Sequence, residues 1–386
     1  MWEHAVETVA CPRCSGPLTP RVIHDERRSV THSGPSQPDL SGISDRWIET
    51  GVLCCDTCKC AFAIHRGVPI LLRYKTRLAQ AAYDTWPAAL RRDLLEGGFD
   101  FSSDTAPRGE KYVAATFSTE WETYEYGATL WTGSTVDRLQ TFRGECGLKA
   151  GELAGLRFCE IGCGLGILTN EAAEGFGADA WGMDLSTSVF RAAAHFKANP
   201  RVHFVQASVF SAPFKPQEFA FVYSHGVLHH TWNTKEAVLR AVQLLRSDGS
   251  LYVWLYGYGD VRVSIPRQVA FAVEALLRPL IARLPPPVAT AVLLPLVPLY
   301  QVASLLGKLS GTHGSKYSPR QALHAARDRF TPLFAHRHEF DEVANWFREI
   351  GLTTIHKVAG AEVAPSWALA LERNVAVRGS RLSSRP

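Results

Sequence analysis

The chain has 386 residues, a formal net charge of +4, and 46% hydrophobic against 20% charged residues. These are the proportions of a globular protein with a sizeable core, and the length predicts a main domain with a smaller companion. So weak a charge gives no reason to expect a nucleic-acid partner, and leaves room only for a local basic patch.

Glu3, His4 and Glu7 precede Cys11 with no apolar run behind them, so a secretory signal is not expected. Nine cysteines in such a chain read as thiols of a reducing compartment, with metal ligation the expected use of clustered ones. The cytoplasm is the expected location.

Residues 1–75 form the first unit. Cys11-Pro12-Arg13-Cys14 is followed by Cys55-Asp56-Thr57-Cys58, and two C-x-x-C knuckles can supply four thiolates to zinc. The intervening run, Thr19 to Asp45, is rich in Ser, Pro and charge and reads as a solvated loop. On spacing alone, Cys54 or Cys60 could replace Cys55 or Cys58.

The text around the second knuckle is more specific. Gly51-x-Leu53-x-Cys55-x-x-Cys58, then Phe62-x-Ile64-x-x-Gly67-Val68-Pro69-x-Leu71-Leu72, resembles the zinc-ribbon module of the small activator subunit of tRNA methyltransferases. That resemblance implies a structural zinc on Cys11, Cys14, Cys55 and Cys58. A four-thiolate site is closed to substrate and supplies folding energy to a segment with little core.

Residues 76–155 read as a helical connecting or lid region. Phe117, Trp121 and Tyr124 recur at i, i+4 and i+7 on one helix face, an aromatic stripe that suits a core or a lid. Ser134 with Asp137 forms a capping box for the next helix.

From residue 156 to 260 strands and helices alternate. Strands are expected at 157–161, 178–183, 202–206, 219–224 and 250–256, with helices at 167–175, 187–197 and 234–245. This alternation predicts right-handed crossovers in a mostly parallel, doubly wound sheet, with ligands at the carboxyl ends of its strands. Between the first strand and helix stand Gly162, Gly164 and Gly166, a turn that lets a ligand approach backbone N–H groups. Residue 167 is Ile, so the G-x-G-x-x-G of dinucleotide-binding folds is not met and an NAD-dependent oxidoreductase is disfavoured.

Residues 261–335 are expected to form an apolar, proline-punctuated helical insertion that caps the active site or makes a homo-oligomer contact. Pro295 and Pro298 argue against a transmembrane span through 288–306, and shallow membrane contact is the alternative reading. Residues 336–374 would complete the core, with a helix over 340–350 and strands near 352–358 and 367–372 making seven. A flexible tail is expected over 375–386.

Taken together, Glu160-Ile161-Gly162-Cys163-Gly164-Leu165-Gly166, Gly182-Met183-Asp184-Leu185-Ser186, Gly226-Val227-Leu228-His229-His230-Thr231 and Leu244 to Gly249 resemble the ordered motifs of class I S-adenosylmethionine-dependent methyltransferases. The resemblance spans roughly residues 115–373 and implies a Rossmann-like seven-stranded α/β fold.

It further implies that Gly162, Gly164 and Gly166, with Glu160 nearby, adjoin the methionine end of S-adenosylmethionine. Asp184 would hold the ribose, Leu185 would pack on adenine, and Ser208 and Val209 would meet the adenine edge. Ser208 and Ala220 depart from the pattern, since each stands where an Asp is common. Trp121 and Tyr124 are candidates for a lid whose aromatic faces would meet the sulfonium. His229 is the first candidate for a general base, with His225, His336 and His338 behind it.

The function expected is methyl transfer to O, N or C of a small molecule, with lipophilic character suggested by the apolar insertion alone. The alternatives are an RNA methyltransferase carrying a zinc ribbon and a non-catalytic module that only binds S-adenosylmethionine.

Overall fold

The computed structural model describes residues 1–28, 44–101, 103–122, 126, 134–259, 265–309 and 316–381. Tyr124, the middle of the 19–45 run, the first residues of the insertion and positions 382–386 lie outside this set.

The N-terminal unit is a four-stranded antiparallel sheet in the order β1 (Thr19–Arg27), β2 (Arg46–Cys55), β3 (Cys60–His65), β4 (Val68–Pro69). β1 corrects the expectation of a solvated loop from Thr19 onward. Its charged side chains, Arg21, Asp25, Glu26 and Arg27, read as loop. They stand on an exposed edge strand whose backbone pairs with β2, and charges on an edge discourage further pairing.

Four helices connect this sheet to the core: α1 (Arg77–Asp84), α2 (Ala88–Glu96), α3 (Glu110–Glu122) and α4 (Thr135–Cys146). The capping box of Ser134 and Asp137 opens α4, and Gly147, at φ 63°, closes it.

The core then runs β5 (Arg157–Ile161), α5 (Ile167–Phe176), β6 (Asp179–Asp184), α6 (Ser188–Phe196), β7 (Val202–Gln206), β8 (Phe219–His225), α7 (Thr234–Gln243) and β9 (Leu245–Leu255). The insertion supplies α8 (Ile265–Ile281), α9 (Pro286–Leu293), α10 (Val297–Leu309) and α11 (Pro319–Phe330). The chain ends with α12 (Phe340–Glu349), β10 (Thr354–Lys357), α13 (Pro365–Arg373) and β11 (Val375–Ser380).

The seven strands lie in the order β10-β11-β9-β8-β5-β6-β7, with β11 alone running against the rest. Alternate residues bury on opposite faces, Phe158 and Tyr223 on one and Cys159 and Val222 on the other, so the sheet is covered on both sides.

The C-terminal expectations shift by one element. The segment expected as a strand at 367–372 lies in α13, because Ala and Leu favour helix after Pro365 and place Trp367 and Leu371 four residues apart on its buried side. The seventh strand is β11, inside the segment expected to be a flexible tail. Val375, Ala376 and Val377 are buried where β11 inserts between β9 and β10, so the sheet holds what composition alone assigns to a tail.

The N-terminal sheet covers the β7 edge. Leu71 N–H donates to Gln206 O at 2.9 Å and Ala10 N–H to Pro213 O at 2.8 Å. Trp181 and Phe214 of the core share one apolar cluster with Trp2, Ile48 and Phe62. An edge strand that would otherwise offer unpaired backbone groups is thereby closed.

Candidate active site

Parallel pairing brings the C-terminal tips of β5 to β8 to one rim of the sheet, and a cavity of about 430 Å³ opens there. Over β5, β6 and β7 its wall is the glycine turn and the residues that follow. Gly162, Gly164 and Gly166 all have positive φ (80°, 52° and 74°), a region side chains rarely adopt. A Cβ on Gly164 would lie 2.7 Å from the ring of Trp121, so α3 lays its indole directly against the turn.

Asp184, at the tip of β6, accepts from Gly164 N–H and from Ser186 N–H, each at 2.8 Å. The acid thus fixes the turn from across the strand tips. Burial pushes its carboxyl above the usual range, and the bonds from Ser186 and Gly164 pull against that. Glu160 accepts from the Thr169 hydroxyl at 2.5 Å, and burial pushes it up to about 8. Leu185, Ser208 and Val209 line the same wall.

Where the family pattern expects an acid, the Ser208 hydroxyl donates to the carboxylate of Glu110, a buried residue at the start of α3 that also lines the cavity. A carboxylate thus reaches position 208 from nearly a hundred residues upstream, with no local signal in the sequence.

Beyond the glycine turn the cavity continues over β8 and β9, between Trp254, Tyr256, Trp367, Phe117 and Phe334. Here the structure departs from the histidine expected. Leu228–His230 is a single 3-10 turn, so its successive side chains diverge. His230 reaches the cavity and its Nδ1 lies 2.7 Å from Phe334 O. His229 is fully buried behind the wall, stacked 3.9 Å from the Tyr256 ring, with its Nδ1 accepting from Tyr256 N–H at 3.4 Å. Burial drives its pKa well below the ordinary value. His336 and His338 do not line the cavity either.

Besides His230, the structure brings His225, the last residue of β8, to the cavity. Its ring stacks on Trp254 with centroids 4.6 Å apart, and its Nδ1 lies 2.9 Å from Glu145 Oε1. Glu145 is completely buried in α4. Burial opposes its ionisation, but His225 and Arg138, the latter with Nη1 at 3.1 Å, hold it at about 2.

A carboxylate beside Nδ1 favours the tautomer protonated there and leaves Nε2 as the basic nitrogen, although the 2.9 Å approach is not aligned as a hydrogen bond. Burial keeps the His225 pKa below its ordinary value, so the ring is neutral near pH 7. Sequence did carry one signal for this group. Arg138, Phe142 and Glu145 share one face of a helix, and a charged pair on an apolar face has to be paired when buried.

The insertion also reaches the cavity. Tyr317, Asp328 and Phe334 line it, and the Tyr256 hydroxyl donates to Asp328 at 2.7 Å. The insertion thus contributes to the cavity wall through α11 and the residues on either side of it.

Far from the cavity, Cys11, Cys14, Cys55 and Cys58 bring their sulfurs within 4.8 Å of one another. Tetrahedral zinc with bonds of about 2.3 Å requires sulfurs roughly 3.8 Å apart. The Cys11–Cys58 and Cys14–Cys55 separations of 3.5 and 3.4 Å are compatible with that. Cys54 and Cys60 fall outside the cluster. Cys54 packs in a separate apolar cluster, and Cys60 accepts from Arg13 at 3.1 Å.

The family model described as "Methyltransferase domain" matches residues 159–253. No curated protein matches the chain. Among solved structures, similarity extends to geranyl diphosphate C-methyltransferase of Streptomyces coelicolor (12% identity, 72% of this chain and 100% of that one, TM-score 0.43). It extends also to a complex between the Haloferax volcanii Trm112 methyltransferase activator and a putative methyltransferase (12%, 72% and 99%, 0.40). A third is Haemonchus contortus phosphoethanolamine N-methyltransferase 2 (14%, 71% and 56%, 0.39), of whose length this chain covers little more than half. The fold is Rossmann-like, and residues 159–253, from β5 to β9, are similar to a methyltransferase domain.

Proposed function

We propose that this protein transfers a methyl group from S-adenosylmethionine to a small lipophilic molecule bearing an ionisable O–H or N–H, with His225 as the general base. The observation that carries the reading is the division of one cavity into two halves. The wall over β5 to β7 has the donors, acid and small residues that suit the cofactor. Over β8 and β9 it is aromatic and holds His225, whose Nδ1 lies 2.9 Å from the buried carboxylate of Glu145.

When bound, S-adenosylmethionine supplies an already activated methyl, so the protein's part is placement and proton removal. Gly162, Gly164, Gly166 and Glu160 suit its amino-acid end, Asp184 the ribose, and Leu185, Val209 and the Ser208–Glu110 pair the adenine. Trp121 closes the turn from above. The rings of Trp254, Tyr256 and Trp367 position an apolar acceptor, and His225 Nε2 takes the acceptor proton while Glu145 stabilises the imidazolium. Zinc on the four cysteines has no open coordination position and supports the sheet that covers β7.

Calorimetric titration of the zinc-loaded protein with S-adenosylmethionine, followed by labelled methyl transfer to fractionated metabolites and lipids, tests the reading. Absence of cofactor binding would overturn it. Transfer confined to RNA fractions would replace the acceptor class.

A further inference from the structure

The insertion is built the wrong way round for a helix facing water. α8 turns its charged pair inward. Glu274 and Arg278 are both buried, and Arg329 bonds the same carboxylate at 2.6 Å from α11. Ile265, Val269, Val273, Leu276 and Leu280, spaced at 4, 4, 3 and 4 residues, form its outer stripe. Ile265 is 74% and Leu276 72% exposed.

α10 repeats the inversion. Ser304 is buried and accepts from Tyr317 N–H at 2.9 Å, and Gln301 donates to Tyr317 O, while Leu299, Val302, Leu306 and Leu309 face outward. A water-facing helix has the opposite arrangement, and an exposed apolar surface of this extent marks a contact with an apolar medium or partner.

We infer that the outer face of α8 to α10 is a docking surface for an anionic lipid bilayer, with the helices lying in the interface. Charge selects the occupant. Among the described residues of 265–330, the exposed charges are Arg283, Lys308, Lys316 and Arg320, and no acidic residue is exposed. An apolar face whose own described segment exposes charge only as cations fits the headgroup layer of anionic lipid. Two copies of this chain meeting through the same face would set like charges against each other.

The stretch Pro286–Leu309 is long and apolar enough to cross a membrane. Its inner side, however, packs Ala289 and Leu293 against Ala326 and Phe330 of the protein body, so it lies on the bilayer rather than through it. The same insertion lines the acceptor half of the cavity with Tyr317 and Asp328, so the docked face and the aromatic chamber share one structural unit. The docking surface itself does not depend on the methyltransfer reading.

The test is flotation of the full zinc-loaded chain with vesicles of phosphatidylcholine alone or mixed with phosphatidylglycerol. Cofactor binding is measured separately by calorimetry. The expected result is co-flotation with the anionic vesicles, weakened by salt. The double variant Leu276→Gln, Leu280→Gln should reduce the bound fraction by roughly tenfold or more, because two exposed leucines no longer enter the apolar layer. The same variant should bind S-adenosylmethionine as the wild type does, which shows that it is folded. A wild-type protein that stays with the soluble fraction at every lipid composition would overturn the inference, as would vesicle binding unaffected by the double variant. A concentration-dependent dimer dissociated by that variant, without vesicle binding, would assign the face to self-association instead.

Discussion

His225→Gln separates a catalytic histidine from one that merely shapes the wall. The ring lies between Trp254 and Glu145 at the end of β8, and glutamine keeps much of its volume and a polar end while removing the basic nitrogen. A positioned general base contributes about 10²–10⁴ in rate, so kcat should fall by about 10²–10³ with the KM for S-adenosylmethionine unchanged.

The pH profile is the sharper readout. Burial places the His225 pKa below the ordinary value of about 6.5, so the neutral, basic form is full at pH 7 and above, and is lost as pH falls through the depressed value. Wild-type activity should be flat above neutrality and drop about tenfold per pH unit beneath that point, and the variant should lack this limb. Glu145 raises the His225 pKa, so Glu145→Gln should move the limb to lower pH. It would also leave Arg138 buried beside a neutral amide and destabilise the fold by about 3–5 kcal/mol. A His225→Gln enzyme within about threefold of wild-type kcat, with the acid limb intact, would refute the assignment.

Asp184→Ala removes a buried carboxylate that pins the Gly164 N–H. It should weaken S-adenosylmethionine binding by about tenfold or more in calorimetry, since bonds to charged groups contribute about 1.5–3 kcal/mol. Elemental analysis should find zinc, and Cys14→Ser, at the exposed thiol of the cluster, should lose it and lower the melting temperature. The cofactor-free protein should lose stability as pH rises from about 4.5 towards 8. Burial raises Glu160 to about 8, so the folded state holds a proton the unfolded chain has released across that window. Glu160→Gln should flatten the decline in chemical-denaturation series run across pH.

The glycine-turn half of the cavity is readable from sequence because backbone geometry dictates it. Positive φ at Gly162, Gly164 and Gly166 requires glycine, and Asp184 has to stand one strand over, so the residues recur at fixed spacing. The boundaries of β5 and β7 match the expected spans for a related reason, since a strand buried on both faces is a compact apolar run between turn signals. β11 is missed because only Val375 to Val377 form an apolar run, beside an Arg- and Ser-rich terminus, and pairing with β9 and β10 gives it a place. β1 is missed on the same principle, as its charges suit an edge and resemble a loop.

The aromatic half has no such grammar. Its wall draws Phe117 from α3, His225 and His230 from the β8 tip, Trp254 and Tyr256 from β9 and the segment after it, Asp328 from α11 and Trp367 from α13. No spacing rule links positions so far apart in the chain, and each residue is ordinary in its own context. The pair His229 and His230 shows the consequence. In sequence the two are interchangeable, but the 3-10 turn buries one behind Tyr256 and turns the other to the cavity. Glu145 looks like one more helical carboxylate until α4 packs against β8. Its meaning comes from what burial forbids, because an ionised acid in the core has to be paired, and here its partners are Arg138, the Tyr223 hydroxyl and His225, which lines the cavity.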